Sequence, residues 1–383
     1  MTHYDIIVIG SGMIGTAVAL GFAKQGRQVM IVEHYQLDKF IANQPMDLRV
    51  SAISQASVQL LKQIGAWDTI MDMRVCPYRR LETWEFSENR LCFDSQIMGL
   101  SQLGYIIENR IIQLGLLEQF SKYENLVISC PDKLKHIEFN SSNNRVFLES
   151  GKKLIAKWVI GADGSHSLVR KLANIRIIAW DYRQYCLCIN VKTELSQQDI
   201  TWQYFTSSGP RSFLPLCGNH ASLVWYDSPN RIKELFSMNS KQLCLEIMEH
   251  FPKNLGKIQV LEKGFFSLLR SHARKYLNKR CVLVGDAAHT IHPLAGQGVN
   301  MGFKDVSSLL KISDKVKIDE VLFSQYEEQR RFDNLLMQNG LELLYQGFGN
   351  DILPLKIARN AMIKFIDSSK IIKKRALRYA LGL

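Results

Sequence analysis

An α/β fold with a discontinuous nucleotide-binding domain is predicted by three stretches of this sequence. Each is an apolar run that ends in a turn built from glycine and an acid or small residue: residues 6–15, 158–164 and 281–298. Two more features complete the expected architecture. Residues 201–228 alternate apolar and polar side chains between Ser-Gly-Pro and Gly-Asn turn signals, which predicts an inserted mixed or antiparallel sheet. From about Asp319 the pattern is helical, so C-terminal helices should close the chain. The expected division is 1–70, 104–176 and 274–340 for the nucleotide-binding domain, 71–103 and 177–273 for the inserted sheet domain, and 341–383 for a basic helical segment.

With 383 residues, 46% of them hydrophobic, the chain can bury a large core and exceeds one ordinary domain. Charged residues make up 22% and no low-complexity run occurs, which argues against disorder. The net charge of +12 favours an anionic partner such as a phosphorylated cofactor or a membrane surface. Nucleic acid is not expected, because the basic residues are not interleaved with the aromatic pattern of an RNA- or single-strand-binding module. Eight cysteines include no C-x-x-C pair, and Cys186 and Cys188 form only a C-x-C inside a strand-like run. No metal site is expected from that spacing, and scattered thiols suggest a reducing compartment. The start of the chain has no basic n-region and runs straight into a strand, so no signal peptide is expected. No apolar run approaches the ~20 residues of a bilayer span.

The first element is "YDIIVIGSGMIGTAVALGFAKQGRQVMIVEH", residues 4–34, read as a Rossmann-like strand, turn, helix and strand. Gly10, Gly12 and Gly15 form G-x-G-x-x-G. Gly10 serves the tight turn, Gly12 lets the backbone approach a diphosphate, and Gly15 lets the helix lie close to the strand. Gly26 ends the helix, and Glu33 stands where an acid would hydrogen-bond a ribose hydroxyl. This fingerprint alone does not separate NAD from FAD.

The second element, "WVIGADGSHSLVR" at 158–170, puts Asp163 after a strand. Asp163 either caps the following helix or positions a flavin and a passing nicotinamide. The third, "CVLVGDAAHTIHPLAGQGVNMG", puts Asp286 at a strand end, where its carboxylate can accept from ribityl hydroxyls that a flavin has and a nicotinamide dinucleotide lacks. Pro293 shapes the loop. Gly296, Gln297 and Gly298 offer backbone N–H groups at the start of a helix expected to run through Val306 and Leu310. A helix start carries about half a positive charge, suited to the anionic edge of a reduced flavin. Asn300 caps this helix, touches that edge or serves helix packing, three alternatives the sequence leaves open. His289 and His292 are candidate proton carriers or packing residues.

The three blocks together resemble the flavin-dependent aromatic hydroxylases. The segments "LRVSAISQASVQLLKQIGAW", "CPYRRLETWEF", "GYIIENRIIQLGLLEQF" and "LVWYDSP" are similar to the ubiquinone-biosynthesis hydroxylases. "PYRRLETWE", "WYDSP" and "ALRYALGL" are most similar to the branch acting on 3-demethoxyubiquinol. The resemblance implies an aromatic hydroxylase-like fold and adds Arg49 and Arg110 as contacts to the flavin diphosphate or edge, the alternative for each being a surface ion pair. It implies FAD as cofactor, NADH or NADPH as transient donor and O2 as co-substrate. Oxygen then adds at flavin C4a, and the ring of a polyprenyl quinol or phenol attacks the hydroperoxide. A sister hydroxylase acting at another ring position, or a flavin-bearing scaffold of the biosynthetic assembly, remains open. No nucleophilic serine, H-E-x-x-H or P-loop competes with this reading.

A polyprenyl quinol lives in lipid. The expected location is therefore cytoplasmic, with the inner-membrane surface or other ubiquinone-biosynthesis proteins as partners. The end of the chain, residues 353–383, carries eight Lys and Arg against Asp367. It either lies on an anionic bilayer or packs with a solvated basic face.

Overall fold

Five apolar runs pair as the parallel centre of one sheet. Their order is Cys281–Leu283, Lys153–Gly161, Thr2–Ile9, Val29–Val32, Leu126–Ser129. Consecutive residues Ile6 to Ile9 are all buried, so both faces of the opening strand are covered, as a parallel strand requires. The structure, a computed structural model, describes residues 2–291, 296–314 and 316–382. The antiparallel hairpin Leu134–Glu138 and Asn144–Leu148 pairs with the first half of Lys153–Gly161.

Strand order reverses beside the opening strand. The chain moves outward through Val29–Val32 and Leu126–Ser129 on one side, then through Lys153–Gly161 and Cys281–Leu283 on the other. The carboxyl edge at such a reversal is where open α/β sheets bind ligands. Register brings the predicted turns to that edge together. Ile9 pairs with Gly161 and with Val32, and Gly161 pairs with Leu283. Gly10, Glu33, Ala162 and Val284 therefore follow side by side.

The second sheet has eight strands, in the order His289–Thr290, Ile258–Ala273, Ile177–Thr193, His220–Asp227, Arg211–Pro215, Ile200–Tyr204, Arg80–Trp84, Arg90–Asp94. All neighbours are antiparallel except Ile200–Tyr204 with Arg80–Trp84. The inserted mixed sheet expected from the alternation is thus present. One face buries Leu187, Phe213 and Trp225 with Ile232, Leu243 and Ile247 of the helices Pro229–Ser237 and Ser240–His250. The other face carries Cys186, Val224, Tyr226 and Leu268 and turns toward the first sheet. There Arg49 lies 5.7 Å from the centroid of the Phe266 ring, and Asn190 donates to the carbonyls of Met46 and Asp47.

A three-stranded sheet, Val50–Ser54, Gly104–Glu108 and Cys76–Tyr78, sits between them. Three helices close the chain: Glu320–Phe348, Leu353–Ser368 and Lys370–Leu381. Leu353–Ser368 covers the edge strand Arg90–Asp94, where Asp367 accepts from the Cys92 N–H at 3.1 Å. An edge so capped cannot pair with another chain. Arg359 donates to Glu85 at 2.7 Å, and both side chains are buried.

Removing one partner of a buried ion pair leaves an uncompensated charge, at a cost of about 3–5 kcal/mol. Glu85→Gln should therefore lower the unfolding midpoint in denaturant by an amount equivalent to about 3 kcal/mol, measured by chemical denaturation of the full chain.

Candidate functional site

The glycine turn is built by close approach. Gly10 has φ +97°, and a Cβ there would stand 2.6 Å from the Ala162 carbonyl oxygen. A Cβ on Gly15 would stand 1.9 Å from the Gly10 oxygen, so only glycine lets the helix Met13–Lys24 start against the strand end. At Gly12 an added Cβ would meet nothing within 4 Å. The turn therefore presents bare backbone to open space at a helix start whose N-cap, Gly12, has no side chain to cap it. That is the arrangement a diphosphate needs.

Glu33 is locked onto this turn. One carboxylate oxygen accepts from the Ser11 N–H at 2.7 Å, and the other from the N–H groups of His34 at 2.7 Å and Tyr35 at 3.1 Å. Gln113, from the helix Asn109–Leu117, donates to the Ser11 carbonyl at 2.6 Å. The sequence reading missed Gln113, whose partner lies 102 residues away with no local pattern to mark it.

Asp286 follows Gly285, whose own Cβ would come within 3.3 Å of Ile14, two residues beyond Gly12. Its surface is open to solvent while protein crowds it on the remaining sides. Burial pushes the carboxyl upward, and His289 and Arg49 pull it back. Among the described residues its carboxylate takes no hydrogen bond.

The helix Gly298–Ser313 starts beside it, after Gly296 at φ +61°. Asn300 is spent on packing: its Oδ1 accepts from the Ser54 N–H at 3.0 Å and the Ser57 hydroxyl at 2.8 Å, and its Nδ2 donates to the Ala52 carbonyl at 2.8 Å. Of the alternatives left open for it, these bonds take the packing one. Asp163 likewise behaves as a cap. Its carboxylate accepts from the Ser167 hydroxyl at 2.5 Å and from the N–H groups of Leu168 at 2.7 Å and Val169 at 3.1 Å. Arg110 donates to the Asp38 carbonyl at 2.8 Å and so pins the loop ahead of Arg49. Arg49 is exposed and makes no ion pair among the described residues. Pro293 and His292 lie outside the described residues.

Behind this edge stands a group whose role the sequence did not reveal. Asp305, fully buried on the helix Gly298–Ser313, accepts from the Gly285 N–H at 3.0 Å and lies 2.6 Å from His289 Nε2. Its other oxygen accepts from Arg330 at 2.9 Å and Asn334 at 3.2 Å, both on the long helix Glu320–Phe348. Burial pushes its pKa up, but His289 and Arg330 overcome that and hold it at about 2. His289 is buried and bound to Asp305, which leaves it a fastening residue rather than one open to the cleft. A hollow of about 570 Å³ beside the long helix, lined in part by Lys275, Arg280, Glu327 and Arg331, contains none of the predicted site residues. No three His, Cys, Asp or Glu side chains cluster as a metal site among the described residues.

The chain matches the FAD binding domain family over residues 3–333. It is 44% identical over 99% of its length, and 98% of the relative's, to 3-demethoxyubiquinol 3-hydroxylase of Escherichia coli. This chain belongs to the ubiquinone-biosynthesis hydroxylases of the FAD-binding family. The hydroxylase is also 29% identical, over 99% of its length and 89% of the relative's, to ubiquinone hydroxylase UbiL of Rhodospirillum rubrum. Among solved structures, p-nitrophenol 4-monooxygenase PnpA of Pseudomonas putida superposes with a TM-score of 0.82 at 17% identity, covering 100% of this chain and 99% of that one, which shows the fold. The enzyme is a FAD-dependent monooxygenase.

For Asp305 the folded pKa lies below the ordinary 3.8. Its stabilisation is therefore present above pH ~4 and lost as pH falls toward ~2, by roughly 2 kcal/mol. Asp305→Asn should flatten that limb of the stability-against-pH curve. Chemical denaturation of both proteins between pH 2 and 7 checks this, at an estimated spacing of about one pH unit.

Proposed function

We propose that this hydroxylase acts on the aromatic ring of a polyprenyl quinol, at the 3-demethoxyubiquinol step of ubiquinone biosynthesis, with NADH or NADPH as donor and O2 as co-substrate. The observation that carries the reading is the Asp286 carboxylate, which takes no hydrogen bond from the described residues and follows Gly285, packed between the helices Met13–Lys24 and Gly298–Ser313. The end-to-end match with the Escherichia coli enzyme supports the choice of substrate.

The residues fit FAD at each point where it makes a demand. Gly10, Gly12 and Gly15 would pass the diphosphate, and Glu33 would take the adenosine ribose hydroxyl while holding the turn. Asp286 would accept from the ribityl chain. The N–H groups at Gly296, Gln297 and Gly298 would face the pyrimidine edge, where a helix start favours negative charge. Arg49, which makes no ion pair among the described residues, would add positive charge near the same edge. The bound flavin supplies acceptance of hydride from the nicotinamide and activation of oxygen for transfer of one atom to the ring.

The chain's own part is to orient and to keep water out. Cys186, Val224, Tyr226 and Leu268 offer a largely apolar roof over the cleft. Asp305 and Asn300 hold the two sides of the glycine-rich helix start in place. The substrate's tail belongs in lipid, so the enzyme works at the inner-membrane surface or beside proteins that present the quinol there.

The purified chain should show oxidised-flavin absorbance, and Asp286→Ala should weaken FAD binding about tenfold or more. With NAD(P)H, labelled oxygen gas and a demethoxyubiquinol analogue, the product should gain one labelled oxygen at the 3-position. Labelling at another ring carbon would make this a sister hydroxylase, and flavin binding without oxygenated product would leave a scaffold.

A further inference from the structure

The last two helices turn part of their apolar surface outward. A packed surface helix ordinarily turns its apolar stripe inward. In Leu353–Ser368 the inward face carries Arg359 and Asn360, both buried and both donating to Glu85. Its outward face carries Ile357, Met362 and Phe365, which are 59%, 49% and 64% exposed. In Lys370–Leu381, Leu377 and Leu381 point inward, while Ile371 and Tyr379 stand exposed beside Arg375 and Arg378. Exposed apolar side chains gathered on one side of a helix point to a contact site.

Charge selects the occupant. Of the eight cations between residues 353 and 382, Arg359 is taken by Glu85, Lys356 by Asp351 and Lys373 by Asp367. Lys364, Lys370, Lys374, Arg375 and Arg378 are exposed and have no acidic partner among the described residues. A second copy docking by two-fold symmetry would set these like charges against each other. An anionic lipid surface meets both features, with phosphates for the cations and an acyl boundary for Ile357, Met362 and Phe365. No described helix is long and apolar enough to cross a membrane, so the contact is lateral.

We propose that the outward faces of Leu353–Ser368 and Lys370–Leu381 form the surface by which this protein docks on an anionic bilayer. The purpose of this surface rests on the polyprenyl-quinol reading above; its geometry does not. The same helices wall the interior. Leu377 and Leu381 pack with Tyr78, Ile106 and Leu216, and Ile363 packs with Leu91 under the substrate sheet. Lipid at the outer face therefore lies one helix away from the sheets that enclose the cleft.

The test is cosedimentation of the full-length holoenzyme with vesicles of phosphatidylglycerol and phosphatidylcholine, and with phosphatidylcholine alone. Wild type should bind the anionic vesicles and fall about tenfold or more on the neutral ones. Ile357→Glu with Phe365→Glu, and separately Lys374→Glu with Arg375→Glu, should each lose about tenfold on anionic vesicles while keeping flavin colour and the wild-type unfolding midpoint. Both variants should match wild type in turnover of a water-soluble, short-tailed quinol analogue. Failure of wild type to bind anionic vesicles, or variants that bind as well as wild type, would overturn the proposal. So would sedimentation velocity showing a wild-type dimer that Phe365→Glu dissolves. A wild type that binds vesicles but does not turn over the soluble analogue would sink the reaction reading and leave the docking surface standing.

Discussion

Asp305 is a carboxylate sealed from solvent, and the geometry of the cofactor edge depends on it. A lone buried charge of this kind is costly, and it persists only when hydrogen bonds and counter-charges surround it. Here the partners come from three separate elements: the Gly285 N–H after a strand, His289 on the short edge strand that follows, and Arg330 with Asn334 on the long helix. Satisfying one carboxylate therefore fixes where the strand end, the loop and two helices meet. Helix crossing tightens the same joint. A Cβ on Gly302 would stand 2.7 Å from Ile14, and one on Gly21 would stand 2.3 Å from Leu310, so the helix Gly298–Ser313 lies almost against the helix Met13–Lys24.

Much of this architecture was readable in the residues because it is local. Apolar runs of β-branched residues followed by glycine declare a buried parallel strand and its turn, and Gly10, Gly12, Gly15 and Asp286 each stand where their spacing put them. The alternation at 201–228 declared the second sheet for the same reason. What was not readable depends on partners far apart in the chain. Asp305, three residues past the third motif, carried no expected role, because its partners lie 16 to 29 residues away on other elements. Glu85 and Arg359 are separated by 274 residues and look like ordinary surface charges in sequence. Asp163 and Asn300 were left with alternatives because a polar side chain at a strand end or helix start can serve a ligand or the backbone, and composition does not decide between them.

The C-terminal helices teach a related lesson. Periodicity divides a helix into two faces but does not say which one meets the protein. The basic and apolar residues of 353–382 suggested a membrane face or a solvated one. In the fold, part of the charge is turned inward onto Glu85, and the apolar side chains are turned out. The buried pair is what makes that orientation stable, since Arg359 facing water would leave Glu85 without its counter-ion.

His289 and Thr290, only a few residues past Asp286, pair with His272 and Ser271 as the outermost strand of the second sheet. Gln338 staples the same spot by donating to the carbonyls of both Ser271 and Thr290. The strand end that carries Asp286 and the edge of the second sheet are thus stitched into one hydrogen-bonded fabric. A shift of that sheet edge therefore strains backbone bonds only three residues from Asp286.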